Sequence, residues 1–332
     1  MTRSERIFAF HALGDYLRNL SETDFQTIAS QAAAHNPWFT NDSVQMAIDS
    51  IRTMFDQDKL TEWIKPYAEI HIPKRVGVVM AGNIPLVGFH DSLCVLISGH
   101  LLIAKTSSKD NVLPVWLLNK LIEIEPRFQS RIQVAEQLKN IDAVIATGSD
   151  NASRYFDFYF GKYPHIIRRN RTSVAVLSGD ETPNELTLLG KDIFSYFGLG
   201  CRNVSTVFVP EGYEIRDLFP AWQEFNDIIH HHKYCNNYDY QKSIMLINGT
   251  PFLDNGSVML HESDKLLSPI SVVYYRYYAG QEELDQYLES HKSKIQCVVG
   301  KSRTSVPFGK AQYPGLTDYA DQVNTLAFLT AL

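Results

Sequence analysis

Cysteine is scarce in this chain: 332 residues contain four, Cys94, Cys201, Cys235 and Cys297. They are widely spaced and form no Cys-x-x-Cys pair, which excludes a disulfide framework and a cysteine-built zinc site. Long apolar runs are also lacking. The longest, Leu93 to Ala104, is interrupted by Ser98, Gly99 and His100 and is too short to cross a bilayer, so no membrane insertion is expected. The first six residues are polar and have no apolar signal-peptide core. Basic charge is in deficit: 31 Lys and Arg stand against 37 Asp and Glu, a net charge of −6. That balance argues against nucleic acid or anionic membrane as a partner. The one dense basic run, Arg168, Arg169 and Arg171, reads as a solvated strand end. No repeat or low-complexity tract occurs, and a soluble, cytoplasmic protein is expected.

What is present is ordinary globular composition, 45% hydrophobic and 20% charged, in a chain long enough for two domains. Residues 4 to 66 read as helices. Ile7, Leu13, Leu17 and Leu20 recur at helical spacing; Ser21 with Asp24 opens a second helix, and Asn41 or Asp42 caps a third. From residue 75 strands alternate with helices: Arg75 to Gly82, a helix from about Pro85, His100 to Lys105, a helix from Asn111 to Ile124, Ile141 to Ala146, and Ser173 to Leu177. This alternation predicts a parallel sheet, with ligands bound beyond the carboxyl ends of its strands. Three polar clusters fall there: Gly82-Asn83, Lys105-Thr-Ser-Ser-Lys109, and Thr147-Gly148-Ser149. Further strands are expected at Thr206 to Val209, Ser243 to Ile247, Ser271 to Tyr277 and Gln296 to Val299. The polar stretch Gly179-Asp-Glu-Thr-Pro-Asn-Glu185 reads as the linker between two lobes. The expected organisation is an N-terminal helical segment, 1–66, packing on a nucleotide-binding domain, 67–188. A catalytic domain, 189–305, and a C-terminal return segment, 306–332, follow.

Cys201 lies where an apolar helical segment runs into Gly198 and Gly200, shortly before the β-branched strand that includes Thr206 to Val209. A thiol after such a turn can be exposed and ringed by backbone N–H groups, as a cysteine nucleophile requires. The competing reading is a small buried cysteine at a strand start. Asn83, between a glycine and Ile84-Pro85, reads by itself as a turn residue. Lys105 could be a solvated strand-end charge, but Ser107, Ser108 and Lys109 beside it suit a ribose or phosphate, and Lys109 could face a 2′-phosphate. Ser149 could be a helix N-cap, which is compatible with anion binding at a helix start. His230-His231-His232 with Cys235 invites a metal reading. No acid or second cysteine completes a tetrahedral set, so a loop location and no metal are expected.

Taken in order, Gly82-Asn83-Ile84-Pro85, Lys105-Thr-Ser-Ser108, Thr147-Gly148-Ser149, Gly198-Leu-Gly-Cys201 and Pro307-Phe308-Gly309-Lys310 resemble the aldehyde dehydrogenase superfamily. Within it, Ala81 to Pro85, Phe197 to Ser205 and Phe308 to Ala320 are most similar to the acyl-CoA reductase branch, the LuxC-like fatty-acid reductases. The resemblance spans roughly residues 38 to 330. It implies an α/β fold: a Rossmann-type parallel-sheet cofactor domain, a second α/β catalytic domain and N-terminal helices. It also implies Cys201 as nucleophile and Asn83 as oxyanion donor. Lys105, Ser107, Ser108, Lys109, Thr147, Gly148 and Ser149 would bind NADPH, with NADH as the alternative. The chain departs from the family pattern twice. Where hydrolytic members carry Glu-Leu-Gly-Gly, whose Glu activates water, this chain has Arg168-Arg-Asn-Arg-Thr-Ser-Val-Ala-Val176 and no acid. Thioester chemistry with coenzyme A needs no such base. The Glu-x-Phe-Gly-Pro run at the nicotinamide ribose is replaced by Lys265-Leu-Leu-Ser-Pro269. The expected activity is NADPH-dependent reduction of an acyl-CoA to an aldehyde, by a homodimer that could work with an acyl-transfer or ligase partner. The alternatives are a cysteine acyltransferase or thioesterase without redox chemistry, or a non-catalytic acyl-CoA-binding subunit of a fatty-acid reductase complex.

Overall fold

Short polar side chains start each of the first four helices, because each offers an oxygen to the orphan N–H groups of a first turn. The computed structural model describes residues 1–148, 150–302 and 305–332. Helix α1 (Arg3–Arg18) opens with a capping box between Thr2 and Glu5, and α2 (Glu22–His35) opens at Ser21, which accepts from the Asp24 N–H at 3.1 Å. Helix α3 (Asn41–Arg52) is capped by Thr40, one residue earlier than expected. The Thr40 hydroxyl reaches the Ser43 N–H, whereas Asn41 and Asp42 are already helical. Helix α4 (Gln57–Ile64) starts at Asp56.

Residues Met1–Asn170 and Pro314–Leu332 form one compact unit, and Arg171–Tyr313 a second. In the first, strands β1 (Arg75–Val79), β2 (Leu101–Lys105), β3 (Ile132–Val134), β4 (Ala143–Thr147) and β5 (His165–Arg168) make an all-parallel sheet of order β3-β2-β1-β4-β5. Helices α5 (Phe89–Ser98), α6 (Val112–Ile124) and α7 (Asp150–Phe160) are the crossovers. The N-terminal helices share one core with this sheet and with α5 and α6. Phe10 packs on Phe55 and Phe128, and Phe55 on Phe89, with ring centroids 5.7 to 5.9 Å apart. Each such ring, once buried, contributes about 1.5–3 kcal/mol. The expected solvated strand end is corrected at Arg168. It is only 3% exposed, pairs with the equally buried Asp91, and donates to the Thr325 hydroxyl at 2.9 Å. A desolvated charge persists only with such partners.

The second unit carries β6 (Thr172–Val176), α8 (Pro183–Phe194), β7 (Val204–Pro210), α9 (Leu218–Ala221), α10 (His232–Ile247), β8 (Leu253–Asp254), β9 (Met259–Glu262), β10 (Val272–Tyr278), α11 (Gln281–His291) and β11 (Ile295–Val299). Its sheet has the order β11-β6-β7-β10-β9-β8, parallel except for β8 against β9. Helix α12 (Thr325–Thr330), near the end of the chain, belongs to the first unit, where His100 Nε2 lies 2.9 Å from the Leu329 carbonyl.

Two expectations differ from this architecture. Ser243 to Ile247 is not a strand but the end of α10, whose buried residues Tyr234, Tyr238 and Met245 share a helical face while Leu246 and Ile247 are exposed. A four-residue apolar run cannot distinguish the two periods. The units divide after Asn170 and after Tyr313, rather than at 188 and 305. Strand β6 sits between β11 and β7 in the second sheet, and the polar stretch 179–185 lies inside that unit, where Thr182 and Glu185 form the capping box of α8.

Candidate functional site

Helix α8 stops at Phe194, and the chain then passes through three consecutive residues with positive φ: Tyr196 (49°), Phe197 (58°) and Gly198 (77°). Two of these are not glycine, and left-handed backbone at bulky residues persists only where surrounding structure enforces it. Asn203 enforces it. Its buried side chain donates to the carbonyls of Asp192, Ile193 and Ser195 (3.1, 3.1 and 2.7 Å) and accepts from the Gly200 N–H at 2.8 Å. The Ser173 hydroxyl on β6 donates to the Cys201 carbonyl at 3.0 Å. Cys201 is therefore held on a turn stapled from both sides, and its side chain is partly exposed. Neither Asn203 nor Ser173 was singled out in the sequence. An amide two residues after a cysteine in a glycine-rich turn is the only local signal for Asn203, and none exists for Ser173, which is distant in the chain.

The residues expected to bind the cofactor lie on the first unit. Lys105 is the last residue of β2 and Thr147 the last of β4, and these strands flank β1, which runs into Gly82-Asn83. The three clusters thus share the carboxyl edge of one parallel sheet, where the strand order reverses direction. Gly82 is required by close approach: a Cβ there would lie 2.6 Å from the Ser107 side chain. A Cβ on Gly148 would lie 2.7 Å from the Phe156 ring of α7. Asn83 is exposed on its turn, as are Ser108 and Lys109 on theirs. The Lys105 ammonium donates to the Glu136 carbonyl at 2.8 Å, and Ser107 Oγ accepts from the Lys109 N–H at 3.2 Å. The backbone of 108–109 is held by α2 and its cap: His35 Nε2 lies 2.7 Å from the Ser108 carbonyl, and Asn36 donates to the Lys109 carbonyl. Ser149 lies outside the described residues. His232 and Cys235 are on α10 and not on a loop, with His231 at its N-cap. Among the described residues no group of three or more His, Cys, Asp or Glu is placed to hold a metal ion.

The turn carrying Asn83 is anchored by Asp110, which sequence reading passed over. Its buried carboxylate accepts from the Leu86 N–H at 2.8 Å and so holds Leu86 at φ 58°, which also delays α5 from Pro85 to Phe89. Burial pushes the Asp110 carboxyl from 3.8 up to about 7, against the pull of the Leu86 and Leu113 amides. The protonated acid is favoured in the fold, so its stability contribution is complete below about pH 4 and is lost as pH rises through about 7. Asp110→Asn keeps an acceptor for Leu86 and removes the buried charge. Its thermal midpoint relative to wild type should therefore rise between pH 5 and pH 8. An unchanged difference across that range would refute this origin of the pH dependence.

Two parallel-sheet units, one presenting a strained cysteine turn and the other a polar carboxyl edge, define the aldehyde dehydrogenase fold. Solved structures with it include aldehyde dehydrogenase 21 from Physcomitrella patens in complex with the reaction product succinate. That enzyme is 13% identical, with a TM-score of 0.65 over 91% of this chain and 74% of the other. An NAD+ complex of a Bacillus cereus aldehyde dehydrogenase is 15% identical, with a TM-score of 0.64 over 91% and 72%. The Mycobacterium tuberculosis aldehyde dehydrogenase complexed with NAD+ is 14% identical, with a TM-score of 0.62 over 86% and 71%. The chain belongs to the acyl-CoA reductase (LuxC) family, whose model it matches over residues 15–220. No functionally curated protein matches it.

Proposed function

We propose that this protein reduces an acyl-CoA thioester to the aldehyde through an acyl-enzyme on Cys201, using a nicotinamide cofactor, NADPH before NADH. The observation that carries the reading is the partly exposed Cys201 on its enforced left-handed turn, in a chain of the acyl-CoA reductase (LuxC) family. The Cys201 thiolate adds to the thioester carbonyl, and the Cys201 backbone N–H and the Asn83 side-chain amide hold the oxyanion. Collapse expels the coenzyme A thiolate and leaves a thioester on Cys201. The segment from Arg168 to Val176 has no carboxylate to deprotonate water, which protects that thioester from hydrolysis. A bound nicotinamide would supply the hydride to the acyl carbon; breaking of the C–S bond then releases the aldehyde and returns Cys201 as thiolate.

The carboxyl edge of the first sheet fits such a cofactor: Lys105 and Thr147 flank the switch point, and Gly82 and Gly148 keep its turns free of side chains that could not be accommodated. Lys105, Ser107, Ser108, Thr147, Gly148 and Ser149 would hold ribose and phosphates, and Lys109 a 2′-phosphate. The Lys105 ammonium now rests on a backbone carbonyl, a weaker partner than an anion. Lys105→Ala should therefore raise the KM for nicotinamide cofactor about tenfold, the loss of one charge-assisted contact, and the KM for acyl-CoA much less. Equal rises in both constants would mean a general defect. A preference for NADH would overturn the role of Lys109 alone.

The deciding experiment follows absorbance at 340 nm with NADPH and acyl-CoAs of several chain lengths. Consumption of NADPH with release of aldehyde is expected. Release of many equivalents of free coenzyme A without NADPH consumption would instead identify a cysteine acyltransferase or thioesterase, the alternative suggested by Lys265 to Pro269 at the family's nicotinamide-ribose motif. Binding with neither product would identify a non-catalytic subunit. Sedimentation tests the homodimer.

A further inference from the structure

The segment Pro307-Phe308-Gly309-Lys310 has no role in this chemistry, yet it and the following Ala311 are hydrogen-bonded to Asp192 of α8 and to Arg202 of the cysteine turn. Asp192, in the last turn of α8, is 1% exposed. Its Oδ2 accepts from the Gly309 N–H at 2.6 Å and its Oδ1 from the Ala311 N–H at 2.9 Å. The Ala311 carbonyl in turn accepts from Nε of Arg202, the residue after Cys201. Asn203 returns to the start, donating to the Asp192 carbonyl while its Oδ1 takes the Gly200 N–H. These bonds form a closed ring through Asp192, Gly309, Ala311, Arg202, Asn203 and Gly200, with Cys201 inside the arc from 200 to 203.

We propose that Asp192 is a positioning residue for Cys201, acting through this ring to hold the thiol in its reactive geometry. The inference rests on the reading of Cys201 as the nucleophile.

Three features argue that the ring serves the cysteine and is more than a fold tie. First, only a carboxylate satisfies it. Two N–H groups converge on one side chain, and an asparagine would turn an NH2 toward one of them. Second, the carboxylate is retained although buried, which is costly for a charge with amide partners. Burial pushes its pKa from 3.8 to about 6, against the pull of the Gly309 and Ala311 amides and of the Arg202 guanidinium. Arg202, from the cysteine turn, is the charged group facing it; the 309–311 segment contributes amides to the contact. Third, Gly309 adopts φ 76°, and a Cβ there would meet the Leu188 side chain at 2.8 Å. The segment is thus seated against α8 in one conformation that both Asp192 oxygens can reach. Protonation of Asp192 replaces one acceptor with a donor and opens the ring at Gly309 or Ala311.

The test is alkylation of Cys201 by iodoacetamide, followed by peptide mass spectrometry on the full-length protein, with Cys235 as an internal reference. Asp192→Asn should slow labelling of Cys201 about tenfold, the scale expected for a displaced reacting group, and leave Cys235 unchanged. The ratio of wild-type to Asp192→Asn rates should climb as pH rises through about 6, a step that loss of stability alone would not produce. Arg202→Met opens the same ring at the Ala311 carbonyl, should slow Cys201 similarly, and decides the matter if Asp192→Asn does not fold. Wild-type labelling of Cys201 in a folded variant, with only a lower thermal midpoint, would overturn the proposal. Slowed labelling in a protein that consumes no NADPH would support the ring while refuting the acyl-CoA reading.

Discussion

Replacing Cys201 with alanine is expected to remove acyl-CoA reduction, lowering kcat by at least about 10⁴-fold, the scale seen when a covalent nucleophile is deleted. The thermal midpoint should change little, because the turn is held by Asn203 and Ser173 through backbone atoms that alanine retains. The complementary result is positive. Wild-type protein given acyl-CoA without NADPH should release one equivalent of coenzyme A and keep the acyl group on Cys201, as a mass increase that hydroxylamine removes. The other thiols provide the control. Cys94 is fully buried, and burial pushes its thiol well above the ordinary range, so it presents no nucleophile. Cys235 lies on α10 beside Asp239. Cys297 contacts Ser173 Oγ through its sulfur at 3.1 Å. Acylation at any of these, with Cys201 unmodified, would remove Cys201 from the mechanism.

Asn83→Ala is expected to lower kcat by roughly a hundredfold or more, while the KM for acyl-CoA stays nearly constant. The amide would be aimed at charge that exists only as the thiolate adds, so it stabilises the transition state and contributes little to ground-state binding. Acylation of Cys201 should slow in parallel, since that step forms the first oxyanion. Asn83→Asp should be at least as damaging, because it sets a negative charge beside the one to be stabilised. The turn has other supports: Gly82 packs closely on Ser107, and Asp110 holds the Leu86 N–H. A variant with wild-type kcat and a lowered thermal midpoint would show Asn83 to be a turn former.

Much of the first sheet was legible because its signals are local. Strands β1, β2 and β4 are short apolar runs between turn residues, and Gly82-Asn83 after β1 marks a turn without reference to anything distant. The ordered motifs from Gly82 to Lys310 were enough to indicate the superfamily and its acyl-CoA reductase branch, since each is a few contiguous residues. The end of α10 was misread for the same reason in reverse. Ser243 to Ile247 has the composition of a strand, and only the packing of Tyr234, Tyr238 and Met245 on one face makes it helical.

Composition and local pattern by themselves determined the α/β class, the alternation that builds parallel sheets, and the presence of a glycine-rich turn at Cys201. The tertiary structure alone decided where the units divide, that Arg168 is buried against Asp91, that Asp110 anchors the Asn83 turn, and that Asp192 ties Gly309 and Ala311 to the residues around Cys201. Those pairs stand 77, 24 and 117 to 119 residues apart. Spacing along a chain specifies which residues share a helix or strand face. Which buried carboxylate meets which distant amide or guanidinium is set by the need to satisfy each polar group that the core removes from water, and that need arises only once the sheets have formed.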